Sequence, residues 1–232
     1  MKDFFSFMFG EIPISSSLSI YQNIIISLAG YFKVLFIYII FAAILMFVFK
    51  IETSDSTPIA MKRMENLNFY MRIIVICMLG PIIEELIFRL PLYVTKINLW
   101  IALSLFCVVL FGPLKKNIQG VEIGYMIVGV TAFAIAGWLF VYYKYEFISE
   151  SIKNNYLLWM HFLTIVFCLA HFGNHNFSKN MGTSVIIMFM ALWLGYYFSF
   201  IRLKFGLGYS ILLHCFHNTL VSLPFIIKTL IK

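Results

Sequence analysis

The sequence predicts an all-α protein, a polytopic transmembrane helical bundle of about seven (six to eight) membrane spans. Three observations carry that expectation. Of the 232 residues, 62% are hydrophobic and 12% are charged, whereas a soluble domain is about half apolar and a quarter charged. One globular core cannot hide that much apolar surface. The apolar residues fall into runs near the roughly 20 residues that cross hydrocarbon as a helix. The 26 Phe and 13 Tyr suit lipid-facing seams and membrane interfaces, respectively.

Residues 12–31 mix Ser, Gln and Asn with aliphatics, so they form either an interfacial helix or an additional span. Clear spans are expected at 32–49, 69–94, 121–143, 156–172, 183–201 and 207–231. The stretch 97–113 is short, and is either a tight span or a re-entrant piece. The one polar linker of any size, 50–68, carries Glu52, Asp55, Pro58, Lys62, Arg63 and Glu65. The other connections, 114–120, 144–155, 173–182 and 202–206, are short. The chain thus divides into an N-terminal membrane segment with its linker, 1–68, and a helical bundle, 69–232.

The net charge is +7, but the basic residues are scattered through short loops rather than clustered. That distribution makes anionic lipid headgroups a simpler partner than a nucleic acid, and no nucleic-acid partner is expected. Lys and Arg divide almost evenly between alternate loops, so the positive-inside rule fixes no orientation. Cys77, Cys107, Cys168 and Cys215 lie in apolar runs without a CxxC pair, and read as small buried hydrophobes. The first nine residues are too short for a signal peptide and carry Asp3, so no cleavage is expected.

The polar residues inside the apolar runs carry the functional information. Each charged side chain at a helix centre costs roughly 2.5–3.5 kcal/mol on insertion scales, so it persists only when paired, hydrated or used. Glu84, Glu85 and Arg89 sit within such a run. Residues four apart share a helix face, which places Glu85 to pair with Arg89. Glu84 points about 100° away, outside that pair, where a carboxylate can serve as a general base. The bland reading is a buried ion-pair knot between helices.

His171 ends the run 156–172, four residues after Phe167, whose ring can fix the imidazole. Taken alone, it reads more readily as an interfacial residue than as a catalyst, and His161, near the start of the same helix, is expected to be interfacial. His175 lies in the following loop and is expected to face solvent. In the last helix His214 and Asn218 share a face, and together they can stabilise an oxyanion. Taken alone, ordinary interhelical hydrogen bonding accounts for them better. His217, nearby, is a support residue or faces a neighbour. The combination is more telling than its parts, because three separate spans each supply a group that hydrolysis needs.

In this order and on different helices, EExxxR (Glu84, Glu85, Arg89), FxxxH (Phe167, His171) and HxxxN (His214, Asn218) resemble the CAAX protease and bacteriocin-processing (CPBP) family. That family includes the type II CAAX prenyl endopeptidases. The resemblance covers the chain from residue 69 to its end and implies an intramembrane endopeptidase. It implies that Glu84 and His171 activate water and that His214 with Asn218 binds the oxyanion. Glu85, Arg89 and Phe167 would support that geometry. Two features depart from the family pattern: Leu90-Pro91 follows the arginine where many relatives have glycine, and two apolar segments separate the first two motifs. No cofactor is expected. Zinc is the possible exception, with Glu84, His171 and His214 as its ligands, although the compact HExxH motif is absent.

The expected partners are membrane lipids and a peptide or protein substrate, in a bacterial plasma membrane. Two other classes compete with this reading: a non-catalytic membrane immunity or scaffold protein, and a proton-coupled transporter using Glu84 and the histidines as a relay.

Overall fold

Local chemistry starts and stops the helices of the computed structural model, which describes residues 1–49, 67–117, 123–172 and 181–230. Helix α1, Lys2–Met8, is followed by a turn at Gly10, whose φ of 107° favours glycine. Helix α2 is a single 30-residue element, Ile20–Phe49. Its start is a reciprocal capping box: the Ser19 amide donates to Gln22 Oε1 (3.1 Å) and the Gln22 amide to Ser19 Oγ (3.3 Å). Residues 12–31 are therefore not an element of their own. Residues 20–31 are the first turns of the helix that was expected to begin at 32.

The expected span 69–94 is broken. Helix α3, Phe69–Ile74, is capped by Asn68 Oδ1, which accepts from the Met71 amide (2.9 Å). It widens into a π-helical turn, Val75–Leu79, and resumes as α4, Gly80–Phe88. A 3-10 turn, Leu90–Leu92, containing Pro91, then ends the helical run. Leu90, directly after Arg89, is buried.

Helix α5, Lys96–Asn117, begins at Thr95, whose Oγ1 accepts from the Asn98 amide (3.1 Å). Helix α6 runs over Ile123–Asn154, so the loop expected at 144–155 is helical almost to its end. Val141, Ile148 and Ile152 recur at helical spacing and pack against Leu99 and Leu103 of α5. Helices α7, Tyr156–Phe172, α8, Met181–Lys204, and α9, Leu207–Leu230, complete the described chain. Gly206, with φ of 111°, closes α8 by donating its amide to the Ile201 and Arg202 carbonyls.

Among the described residues, four stretches are long and apolar enough to cross a membrane: Ile20–Val48, Val128–Asn154, Met181–Lys204 and Leu207–Thr229. By length and composition these mark an integral membrane protein in contact with lipid. That is fewer than the expected seven spans. The π turn and the 3-10 turn at Pro91 divide 69–94, and α7, with 17 residues, is shorter than a typical spanning helix.

The chain forms two compact units, Met1–Ile82 with Met160–Lys232, and Ile83–Trp159. In the first, α8 is the centre. Tyr197 donates to the Ser27 carbonyl of α2 (2.7 Å), and Trp193 to that of Val34 (3.2 Å). Phe4 of α1 sets its ring edge-on to Trp193, Tyr197 and Phe200. In the second unit, Trp100 of α5 donates to the Ala134 carbonyl of α6 (3.0 Å).

Candidate functional site

The acidic residues lie on α4, in the second unit. Glu85 and Arg89 expose no surface, and Arg89 Nε lies 3.6 Å from Glu85 Oε1. The pairing expected from their spacing is present. Glu84, one residue earlier, is half-buried. The backbone after Arg89 is held by side chains of the same unit. The carbonyls of Pro91, Leu92, Tyr93 and Val94 accept in turn from Trp159 Nε1 (3.2 Å), Tyr156 OH (3.0 Å), Asn98 Nδ2 (2.6 Å) and Tyr145 OH (3.3 Å). Four successive carbonyls outside the helices are thus satisfied within the protein.

The imidazoles lie in the first unit. His171, half-buried near the end of α7, has Nδ1 2.9 Å from the Phe167 carbonyl. A carbonyl only accepts, so Nδ1 carries the proton and Nε2 is the acceptor nitrogen. The Phe167 ring is 4.6 Å from the His171 ring and meets the His214 ring edge-on at 5.9 Å. His214 is buried and stacks on Phe198 at 4.7 Å. Two of the three motifs therefore converge on one phenylalanine.

Asn218 has a partner that its sequence position does not reveal. In the π turn, the Gly80 amide donates to the Val75 carbonyl instead of that of Ile76. The next residue able to serve the Ile76 carbonyl is Pro81, which has no N–H. Asn218 Nδ2 fills the vacancy, donating to the Ile76 carbonyl at 3.0 Å. The carboxamide is oriented by this bond and keeps a second N–H.

His217 bonds through Nδ1 to the Tyr31 hydroxyl of α2 (2.9 Å), and both residues are buried. His161 is half-buried, with Nδ1 2.7 Å from the Tyr196 hydroxyl. His175 and most of the linker 50–68 lie outside the described residues. Tyr31 was missed altogether, because nothing local distinguishes it from the other tyrosines. His217 offered one signal, a position three residues after His214 on the same helix. Cys77 and Cys168 are buried, Cys107 and Cys215 half-buried, and all four are free thiols.

Among the described residues, no group of three His, Cys, Asp or Glu side chains is placed to hold a metal ion. No protein-family model, curated protein or solved structure matches this chain.

Proposed function

We propose that the chain is an intramembrane endopeptidase of the CAAX-processing and bacteriocin-processing type, hydrolysing a peptide bond of a membrane-associated protein or peptide. The observation that carries the reading is the Phe167 ring in contact with both His171 and His214, with His171 fixed as a hydrogen-bond acceptor at Nε2. An imidazole that presents an acceptor at Nε2 suits the orientation of a water.

In this mechanism His171 Nε2 accepts one water proton in a hydrogen bond, and Glu84 removes the other as general base. The hydroxide oxygen bonds to the peptide carbonyl carbon. The resulting oxyanion is stabilised by His214 and by the second N–H of Asn218. Collapse of the tetrahedral species breaks the C–N bond, and Glu84 delivers its proton to the departing amine. Glu85 and Arg89 hold the helix that carries the base. The reading needs no catalytic metal; stoichiometric zinc required for turnover in purified protein would overturn that part. The proposed setting is a bacterial plasma membrane.

The test is cleavage of membrane-associated peptides by purified protein in proteoliposomes. Glu84→Gln is expected to lower turnover by about 10²-fold or more, as for loss of a general base, with the melting temperature unchanged. Undiminished cleavage by this variant removes Glu84 from the reaction.

A further inference from the structure

Helix α2 contributes a buried tyrosine to the last helix, and that contact sets the chemistry of an imidazole the mechanism above leaves unused. The approach begins at Gly30. A Cβ there would collide with the Tyr197 hydroxyl, so glycine lets that hydroxyl reach the Ser27 carbonyl (2.7 Å) and seats α2 against α8. The next residue, Tyr31, then meets α9, its ring edge-on to Phe216 at 5.8 Å and its hydroxyl 2.9 Å from His217 Nδ1.

The direction of that hydrogen bond follows from the number of acceptors. Tyr31 is 1% exposed, and among the described residues its hydroxyl has no second hydrogen-bond partner. If Nδ1 carried the proton, the phenol O–H would be buried without an acceptor, a costly arrangement. The phenol therefore donates to Nδ1, and neutral His217 carries its proton on Nε2. This is the opposite tautomer from His171, whose Nδ1 donates to the Phe167 carbonyl. One imidazole of the unit presents an acceptor at Nε2, and the other presents a donor.

We propose that Tyr31 is a positioning residue that locks His217 as an Nε2–H donor, adding a donor to the stretch of the last helix that carries His214 and Asn218. Phe198, stacked on His214 and edge-on to His217 at 6.4 Å, holds the two rings in register. The consequence for rate rests on the endopeptidase reading, because a donor here helps only if negative charge develops beside it. The tautomer itself does not depend on that reading.

The experiment uses the full chain in nanodiscs with 15N-labelled histidine. Nitrogen shifts are read for the wild type and Tyr31→Phe, with His217→Gln to assign the resonance. The wild type is expected to show His217 protonated at Nε2, and Tyr31→Phe to shift the population toward the Nδ1–H form. An Nδ1–H tautomer in the wild type, or identical tautomers in both proteins, overturns the lock. In peptide cleavage, Tyr31→Phe is expected to lower kcat about tenfold with KM little changed, the pattern of an interaction made in the transition state. His217→Gln, whose amide nitrogen stands near the place of Nε2, should retain more activity than His217→Ala. Unchanged kcat in Tyr31→Phe and His217→Ala, with Glu84→Gln inactive, overturns the proposed role and leaves the endopeptidase reading intact. An inactive wild type overturns the endopeptidase reading and the rate effect, while the nitrogen shifts still decide the lock.

Discussion

Arg89 stands one helical turn beyond Glu85, with 3.6 Å between Nε and Oε1 and no exposed surface on either side chain. Taking two charges out of water is expensive, and the attraction between them roughly offsets that expense rather than adding net stability. Removing one partner therefore leaves the other charge buried without the opposite charge it faces one turn away. Arg89→Met or Glu85→Gln is expected to cost about 3–5 kcal/mol. The double change Glu85→Leu with Arg89→Met should recover most of that loss. Thermal unfolding of the four proteins in one detergent measures the effect, and additive losses in the double variant would contradict it.

The bond between Asn218 and the Ile76 carbonyl gives a second prediction. No backbone amide serves that carbonyl, because Gly80 donates to Val75 and Pro81 has nothing to donate. Asn218→Leu removes the partner of this half-buried carbonyl, at an expected cost of about 1 kcal/mol. Pro81→Ala restores an amide five residues beyond Ile76, in π-helical register. The cost of Asn218→Leu should accordingly be smaller in the Pro81→Ala background. Equal costs in the two backgrounds would show that the proline does not create the vacancy.

The all-helical class could be read from the sequence because apolar runs of spanning length survive any detail of packing. Pairs one turn apart, Glu85 with Arg89 and Phe167 with His171, were equally legible, since helical geometry alone brings them together. The start of α2 is written in Ser19 and Gln22, but as sequence such polar residues fit an interfacial helix or an additional span as readily as a cap. The end of α6 was misread as a loop because Lys144, Glu146, Glu150 and Lys153 line its exposed side, hiding the apolar face of Val141, Ile148 and Ile152. Tyr31 and His217 are 186 residues apart, and no local spacing announces such a partner. The vacancy at Ile76 required the π turn to be known first.

Asp3 of α1 lies 2.7 Å from Lys204 Nζ at the end of α8, and the ammonium holds its carboxyl below the usual carboxylate range through hydrogen bonding and charge. A carboxyl whose folded pKa is depressed contributes stability above its unfolded pKa, and loses it as pH falls through the folded value. The pair is largely solvent-exposed, so its contribution is expected at about 0.2–1 kcal/mol and to weaken with salt. Because Phe4 and Phe5 lie against Trp193, release of α1 should change the fluorescence of that indole. Acidification from pH 5 towards 2 (about the range in which an unfolded Asp titrates) is expected to loosen α1 in the wild type. Asp3→Asn should start looser and respond less. A parallel response of the two proteins would assign the acid sensitivity to other groups.

Four side chains hold the backbone between Arg89 and α5, and their removal should be felt at the ion pair beside them. Tyr156 and Trp159 donate to the carbonyls of Leu92 and Pro91, and each is the side-chain partner of a carbonyl that no helix serves. Tyr156→Phe keeps the ring in the cluster with Leu99, Val141 and Ile152 while removing only the hydroxyl. Its expected cost is about 1–3 kcal/mol, the penalty of an orphaned buried acceptor. Trp159→Phe loses the same kind of bond together with part of a ring, so its cost should be larger. Because Leu90–Leu92 follows Arg89 without a break, loosening it should also relax the constraint on the guanidinium. The cost of Arg89→Met is therefore expected to shrink in the Tyr156→Phe background. A double-mutant cycle on unfolding free energies measures that coupling, and a coupling of zero would mean that the carbonyl staple and the ion pair act independently.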